Sequence, residues 1–150
     1  RDHYISEWNE RLSMSSSLGW YKKLKPSITI STYLEKLVNV KHRRAITKLR
    51  LSSHNLLIET GRHRQIERAD RKCVYCNLND IEDELHFILI CPQYTDIRQL
   101  FIKKYYYTRP NMFKLVQLFN NENMTHLKNL AKYIIQALKH RNSLANEPSL

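Results

Sequence analysis

The sequence predicts a mainly α fold: a small helical domain in which a short metal-ligand segment sits between helical stretches. Three observations predict it. Apolar residues recur at i, i+3, i+4 and i+7 along several stretches, the period of a helix with one buried face. Two glycines and four prolines in 150 residues leave too few turn formers for a β-sandwich and too few glycines for a phosphate loop or a dinucleotide fingerprint. All three cysteines fall at positions 73, 76 and 91 with His86 between the last two, so one local site takes up the whole thiol content.

Taken in chain order, residues 4–18 place Tyr4, Trp8, Leu12 and Ser15 on one stripe, with Ile5 and Leu12 seven apart, which predicts a helix. Ser15-Ser16-Ser17-Leu18-Gly19 breaks it, and residues 20–26 read as a basic connection. Ile28-Thr29-Ile30 reads as a short strand, or as the approach to a helix capped by Ser31 with Glu35 following. Over 32–51, Leu34, Leu37, Val38, Ala45, Ile46 and Leu49 keep helical spacing while Lys41, Arg44 and Lys48 share another face. That predicts one helix broken near Asn39, or two short ones. Thr60-Gly61 ends the next element, and residues 62–72, polar and aperiodic, read as a loop.

Asp80 is expected to cap a helix whose first turn holds Glu82, Asp83 and Glu84, because carboxylates suit the positive end of a helix dipole. This reading is preferred over a catalytic carboxylate group, and it turns Leu85, Ile88 and Leu89 to the core. A helix over 95–107 with Ile97, Leu100, Phe101 and Tyr105 inward follows, then one over 112–119. The last helix is the clearest: Met124, Leu127, Leu130, Ala131, Ile134, Ile135 and Leu138 form the stripe, and Lys128, Lys132, Lys139 and His140 form the opposite face. From Arg141 on, the chain reads as a frayed tail. The expected organisation is one domain of 1–150, helical and basic over 1–60, metal-binding over 61–95, helical again over 96–140 and flexible over 141–150. The first residue is Arg1 rather than Met, so a fragment or a processed chain is expected.

Charge narrows the function classes. Twenty-five Lys+Arg stand against 14 Asp+Glu, a net charge of +11, with 42% apolar residues to build a core, so a wholly disordered chain is excluded. No apolar run approaches the ~20 residues of a membrane span. An odd count of three cysteines does not suit a stapled secreted scaffold, and an intracellular, soluble domain is expected. The cations cluster. Arg43, Arg44, Lys48, Arg50, Arg62, Arg64, Arg68, Arg71 and Lys72, together with His63, precede and abut the cysteines, and Lys103 and Lys104 open a second site with Tyr105, Tyr106 and Tyr107. Cations interleaved with aromatic rings suit phosphates and unpaired bases. The bland alternatives are solvated helix faces for the cations and half-buried packing for the tyrosines, Tyr75 included.

The cysteines and histidine spell C-x2-C-x9-H-x4-C through Cys73, Cys76, His86 and Cys91. Three thiolates and a neutral imidazole make a closed tetrahedral shell for Zn²⁺, a structural site rather than a catalytic one. His86 and Cys91 are five apart, which an unbroken α-helix would splay. Pro92 is expected to turn Cys91 back, because the residue before a proline leaves the α region. The alternatives are a redox pair at Cys73 and Cys76, for which the βαβ frame is lacking, and three buried cysteines close by chance.

The run from Leu49-Arg50-Leu51 through Thr60-Gly61-Arg62-His63, Cys73-Val74-Tyr75-Cys76 and Glu84-Leu85-His86-Phe87-Ile88-Leu89-Ile90-Cys91-Pro92, then Tyr94 and Arg98, resembles the C-terminal zinc-binding (CCHC) domain of non-LTR retrotransposon reverse transcriptases. An arginine between Gly61 and His63 departs from that pattern, and the likeness covers about a third of the chain. The resemblance implies zinc ligands at Cys73, Cys76, His86 and Cys91, an upstream reverse transcriptase domain as partner, template RNA or target DNA held by this region, and a nuclear setting. It does not bring the polymerase: there is no Tyr-x-Asp-Asp pair, and Asp2, Asp70, Asp80, Asp83 and Asp96 form no paired-metal pattern. The segment is therefore expected to be non-catalytic, to bind nucleic acid and to have no membrane partner. The rival expectation is a zinc-stabilised helical adaptor docking on a polymerase domain or an acidic protein. A third is a nuclease using His54, Glu59 and His63.

Overall fold

Helical periodicity, asparagine caps and short polar breaks cut the chain into helices that gather around the last of them. In the computed structural model, residues 1–15, 18–25, 27 and 29–147 are described. The helices are α1 (Asp2–Met14), α2 (Gly19–Leu24), α3 (Thr32–Lys36), α4 (Val40–Arg50), α5 (Leu57–His63), a π-helix (His86–Ile90), α6 (Thr95–Phe101), α7 (Lys104–Tyr107), α8 (Met112–Phe119) and α9 (Met124–Asn146). The fold is mainly α, as its periodicity predicts. No strand forms among the described residues; a single antiparallel bridge joins Lys72 and Ile81.

Three asparagines start three helices by accepting orphan backbone N–H groups. Asn39 accepts from Lys41 and His42, Asn111 from Lys114, and Asn123 from His126, each such cap contributing about 1 kcal/mol. Asn39 is also why residues 32–51 form two helices rather than one. The putting-together is apolar. α9, 23 residues long and so roughly 35 Å, packs on α3, α4, α6 and α8. It buries Leu127, Leu130, Ala131, Tyr133, Ile134 and Ala137, and α4 offers Ala45, Ile46 and Leu49. Trp20 of α2 wedges in beside them, donating its indole N–H to the Leu49 carbonyl at 2.9 Å and meeting Phe119 edge-on at 5.4 Å.

Several expectations need correction. Residues 20–26 are not all connection: Trp20 and Leu24 are buried on α2. Thr60-Gly61 does not end its element, because Gly61 sits inside α5 where the Arg71 side chain crosses it; a Cβ there would lie 2.7 Å from Arg71 Cγ. The stretch 95–107 is two helices, broken at Ile102, with Leu100 exposed and Tyr106, not Tyr105, buried. α9 runs on to Asn146, so 141–146 is helix and not frayed tail, and the buried Arg141 is the reason. The stripe of α9 is also rotated slightly: Met124 and Ile135 are exposed, whereas Tyr133 is fully buried. The serine break at Ser16 and Ser17, Ile28 of the candidate strand and the last three residues of the expected tail lie outside the described residues.

With so few glycines, chain reversals fall to other residues. Ser52, Gln65, Asn79 and Arg109 all adopt left-handed backbone, at φ 56, 58, 62 and 52°. Asparagine tolerates this region; for the others it is costly.

Candidate metal centre

Two structural halves bring the ligands together. The first is a short antiparallel pairing in which the Cys73 N–H donates to the Asp80 carbonyl at 2.8 Å and the Glu82 N–H to the Arg71 carbonyl at 2.9 Å. Cys73 and Cys76 lie in the turn it closes, with Asn79 reversing the chain. The second half is helical. Asp83, not Asp80, begins it: its carboxylate accepts the His86 N–H at 2.9 Å and its carbonyl accepts the Phe87 N–H at 3.0 Å.

The helix widens at once into the π form, closed by the Cys91 N–H on the His86 carbonyl at 2.7 Å. Residues five apart on an α-helix are turned by about 140°; the wider π turn returns Cys91 toward His86. Cys91 then leaves with ψ 123°, the extended geometry that Pro92 favours in its predecessor. Pro92 thus supplies half of the turn and the π-helix the other half.

A π-helix leaves carbonyls to be satisfied elsewhere, and buried side chains meet them. Arg98 donates through Nε to the Ile88 carbonyl at 2.7 Å and through its guanidinium to the Cys91 carbonyl at 2.9 Å. Tyr133 donates its hydroxyl to the Phe87 carbonyl at 2.5 Å. Sequence reasoning gives Arg98 and Tyr133 no role at the site. A basic and an aromatic residue at otherwise apolar helical positions were the available signal.

One donor atom from each of Cys73, Cys76, His86 and Cys91 lies within 4.8 Å of all the others, so the four can hold a metal ion. Among the described residues no other group of three such side chains comes close enough to do so. His86 presents Nε2 to the cluster, 3.5 Å from Cys76 Sγ. Its Nδ1, buried and without a hydrogen-bond partner, points toward the Asp80 carboxylate 3.8 Å away. A carboxylate on that side is the arrangement that suits an Nε2 ligand, although at this distance it makes no hydrogen bond.

The sulfurs are strongly coupled. The Cys91 thiol beside it holds Cys73 down to about 3, with burial opposing and His86 assisting. Cys91 is pushed up, first by Cys73 and then by burial; Cys76 is raised mainly by burial. Three sulfurs this close ionise together only if a cation shares the site. No family model, curated protein or solved structure matches the chain.

The acidic run beside the site is a helix start only in part: Asp83 caps it and Glu84 is its first residue, while Glu82 is engaged elsewhere. Glu82 is buried and takes a bidentate ion pair from Arg141, at 2.9 and 2.7 Å, and also accepts the Leu57 N–H at 2.6 Å. Glu84 is buried against His54 Nε2 at 2.9 Å, with the Ser52 hydroxyl at 3.4 Å. Leu85 is only half-buried, whereas Phe87 joins Ile88 and Leu89 in the core.

The candidate phosphate contacts divide. Arg50 is buried, donating to the Phe119 carbonyl and Asn120 and stacking 5.1 Å over Tyr33, so it is an interior residue and not a surface cation. Arg71 donates to the Ile66 and Ile58 carbonyls at 2.9 and 3.1 Å. Arg62 pairs with Glu59 at 3.0 Å. His63, Arg64, Arg68, Lys103 and Lys104 are exposed and Lys72 is half-buried. Arg44 and Lys48 are exposed on α4, with Arg43 half-buried beside them. Tyr75 lies under Arg141, 5.2 Å from its guanidinium, in packing. Tyr105 is half-exposed, hydrogen-bonded to Gln117 at 2.9 Å, with the Lys114 ammonium 4.8 Å over its ring. His54, Glu59 and His63 are not brought together: His54 is on Glu84 and Glu59 on Arg62. No helix among the described residues is long and apolar enough to cross a membrane.

Proposed function

We propose that the chain is a zinc-stabilised, non-catalytic nucleic-acid-binding module of the kind found at the C-terminus of non-LTR retrotransposon reverse transcriptases, holding template RNA or target DNA in the nucleus beside a polymerase domain. The observation that carries it is the four-donor cluster, set in a chain of net charge +11. Three sulfurs and one imidazole are the donors zinc prefers. A tetrahedral zinc with Zn–S near 2.3 Å has edges of about 3.8 Å, and the 3.5 Å from Cys76 Sγ to His86 Nε2 suits such an edge. Four protein donors leave no open position, so the ion supplies folding energy and no reaction. Asp80 lies on the Nδ1 side of His86, and Arg98 and Tyr133 hold the π-helix that brings Cys91 round.

The test joins two measurements. Metal analysis of protein purified without chelator should find one zinc per chain, released as pH falls because protons compete for the thiolates and for His86. Fluorescence anisotropy with RNA and DNA oligonucleotides should show affinity dropping by about 10³–10⁵ between 50 and 200 mM salt if six to ten phosphates are contacted. A flat salt response sinks the nucleic-acid reading.

A second reading, the zinc-stabilised adaptor, is favoured by exposed apolar side chains around α3. Ile30, Leu34 and Val38 are 71, 45 and 85% exposed. It predicts a stable complex with a polymerase domain or an acidic protein and weak nucleic-acid binding.

A further inference from the structure

α4 and α9 pack along one another, and between them opens a cleft of about 580 Å³. Its walls carry Lys41, Arg44 and Lys48 from α4 and Lys139 from α9, and its floor is Ala45, Ile135 and Leu138. None of its lining residues is acidic. The three α4 cations stand at i, i+3 and i+7, one face of a helix.

What sets these cations apart is that they face one another across a groove while unpaired among the described residues; several basic residues elsewhere are instead taken up inside the fold. Arg50, Arg71 and Arg98 are taken up by carbonyls, and Arg62 and Arg141 by carboxylates. Among the described residues, Lys41, Arg44, Lys48 and Lys139 have no carboxylate within ion-pair distance. Like charges are thus gathered on both walls of one groove. Such a groove raises the local concentration of a polyanion.

We propose that the α4–α9 groove seats the backbone of a single-stranded nucleic acid, with phosphates on the Lys41, Arg44, Lys48 and Lys139 walls and a sugar or base face on the Ile135–Leu138 floor. This rests on the nucleic-acid reading above and places its principal contact on the far-helix groove rather than on the cations flanking the cysteines. The volume lies in the range of small-molecule sites, roughly 300–1,000 Å³, and suits one strand entering a concavity; a convex duplex would touch only the rims. From Lys41 to Lys48 the helix advances roughly 10 Å, so the α4 wall meets a short stretch of backbone. No aromatic ring lines the groove, so recognition there is of backbone and independent of base sequence.

The test is anisotropy with a fluorescent 20-mer oligouridylate, its deoxy counterpart and a duplex of equal length, between 50 and 200 mM salt. Replacing Lys41, Arg44, Lys48 and Lys139 by alanine should weaken single-strand binding at least about 30-fold and reduce the slope of log K against log salt by about three, at roughly 0.7 per contact. Swapping the same residues between lysine and arginine should restore both. Replacing Arg64, Arg68 and Lys72 by alanine should change affinity only a few-fold. Ser143→Glu, which puts a carboxylate in the groove lining, should also weaken binding without lowering the melting temperature, and it decides the matter if the fourfold alanine variant does not fold. Loss that follows Arg64, Arg68 and Lys72 instead overturns the groove while leaving the nucleic-acid reading intact. Equal or tighter duplex binding overturns the single-strand assignment. Absence of any oligonucleotide binding by the unaltered protein overturns both readings.

Discussion

The α4–α8–α9 bundle and the metal knuckle are built on opposite physics. In the bundle, Ile46, Leu49, Leu115, Leu127, Leu130 and Ile134 are buried side chains without polar atoms, and burying each contributes roughly 1.5–3 kcal/mol. Around the knuckle the buried groups include Glu82, Glu84, His86, Arg98 and Arg141, and nearly every one is held by a directed hydrogen bond or ion pair. Apolar packing tolerates small displacements and any ionic condition; directed bonds among desolvated charges tolerate neither. The two regions should therefore fail under different insults.

Metal removal should separate them most sharply. A tight chelator should strip amide protection from residues 71–94 and leave most α9 helicity, since the apparent binding energy of a structural zinc is on the order of 10–16 kcal/mol near neutral pH. Hydrogen exchange reads this residue by residue, and uniform loss across α9 would erase the contrast. Next come two substitutions of comparable size and different address. Glu82→Gln leaves Arg141 buried and half-paired, costing about 3–5 kcal/mol, and it should weaken metal retention as well. Leu130→Ala opens a cavity in the bundle, costing about 2–5 kcal/mol, with metal retention unchanged. Chemical denaturation paired with a chelator competition checks both.

A smaller effect concerns pH. His42 is held below its ordinary value of 6.5 by burial, then by Lys132 and Lys128. The unfolded chain therefore takes up the proton first, and stability is lost as pH falls from about 6.5 toward the lower folded value. His42→Gln should flatten that part of the profile, and NMR titration should show His42 moving up when an oligonucleotide neutralises its lysine neighbours. The smallest change is a gain. Arg109→Gly should stabilise by roughly 1 kcal/mol, because glycine adopts the left-handed backbone without Cβ strain; thermal melting would show it.

How much of this is legible in sequence depends on whether the cause is local. Met112–Phe119 and the start of α9 follow from their own periodicity and from asparagine caps, and the metal cluster follows from its spacing. Most of the misreadings have partners elsewhere in the chain. Arg141 looks like a tail residue until Glu82 is seen beside it, fifty-nine positions earlier. Gly61 looks like a stop until Arg71 is found lying across it. Glu82, Asp83 and Glu84 look like one acidic first turn, yet they bind Arg141, His86 and His54 in turn. Arg50 joins a basic run in sequence and leaves it in space, because Phe119, Asn120 and Tyr33 converge on it from two other parts of the chain. Even the π-helix had a local hint in the five-residue gap between ligands, but what stabilises it, Arg98 and Tyr133, is not local.

The Glu82–Arg141 pair also sets an order of events during synthesis. At roughly 5–20 residues per second, Arg141 emerges about 3–12 s after Glu82, so the Cys73–Cys91 loop is fully exposed to the cell before its clasp exists. All four metal donors precede Arg141 in the chain, so an ion can close the loop while α9 is still being made, sparing three thiols that wait from oxidation. An ion held there would be a temporary fastener as well as a permanent one, keeping the knuckle ready until the last helix arrives to lock it.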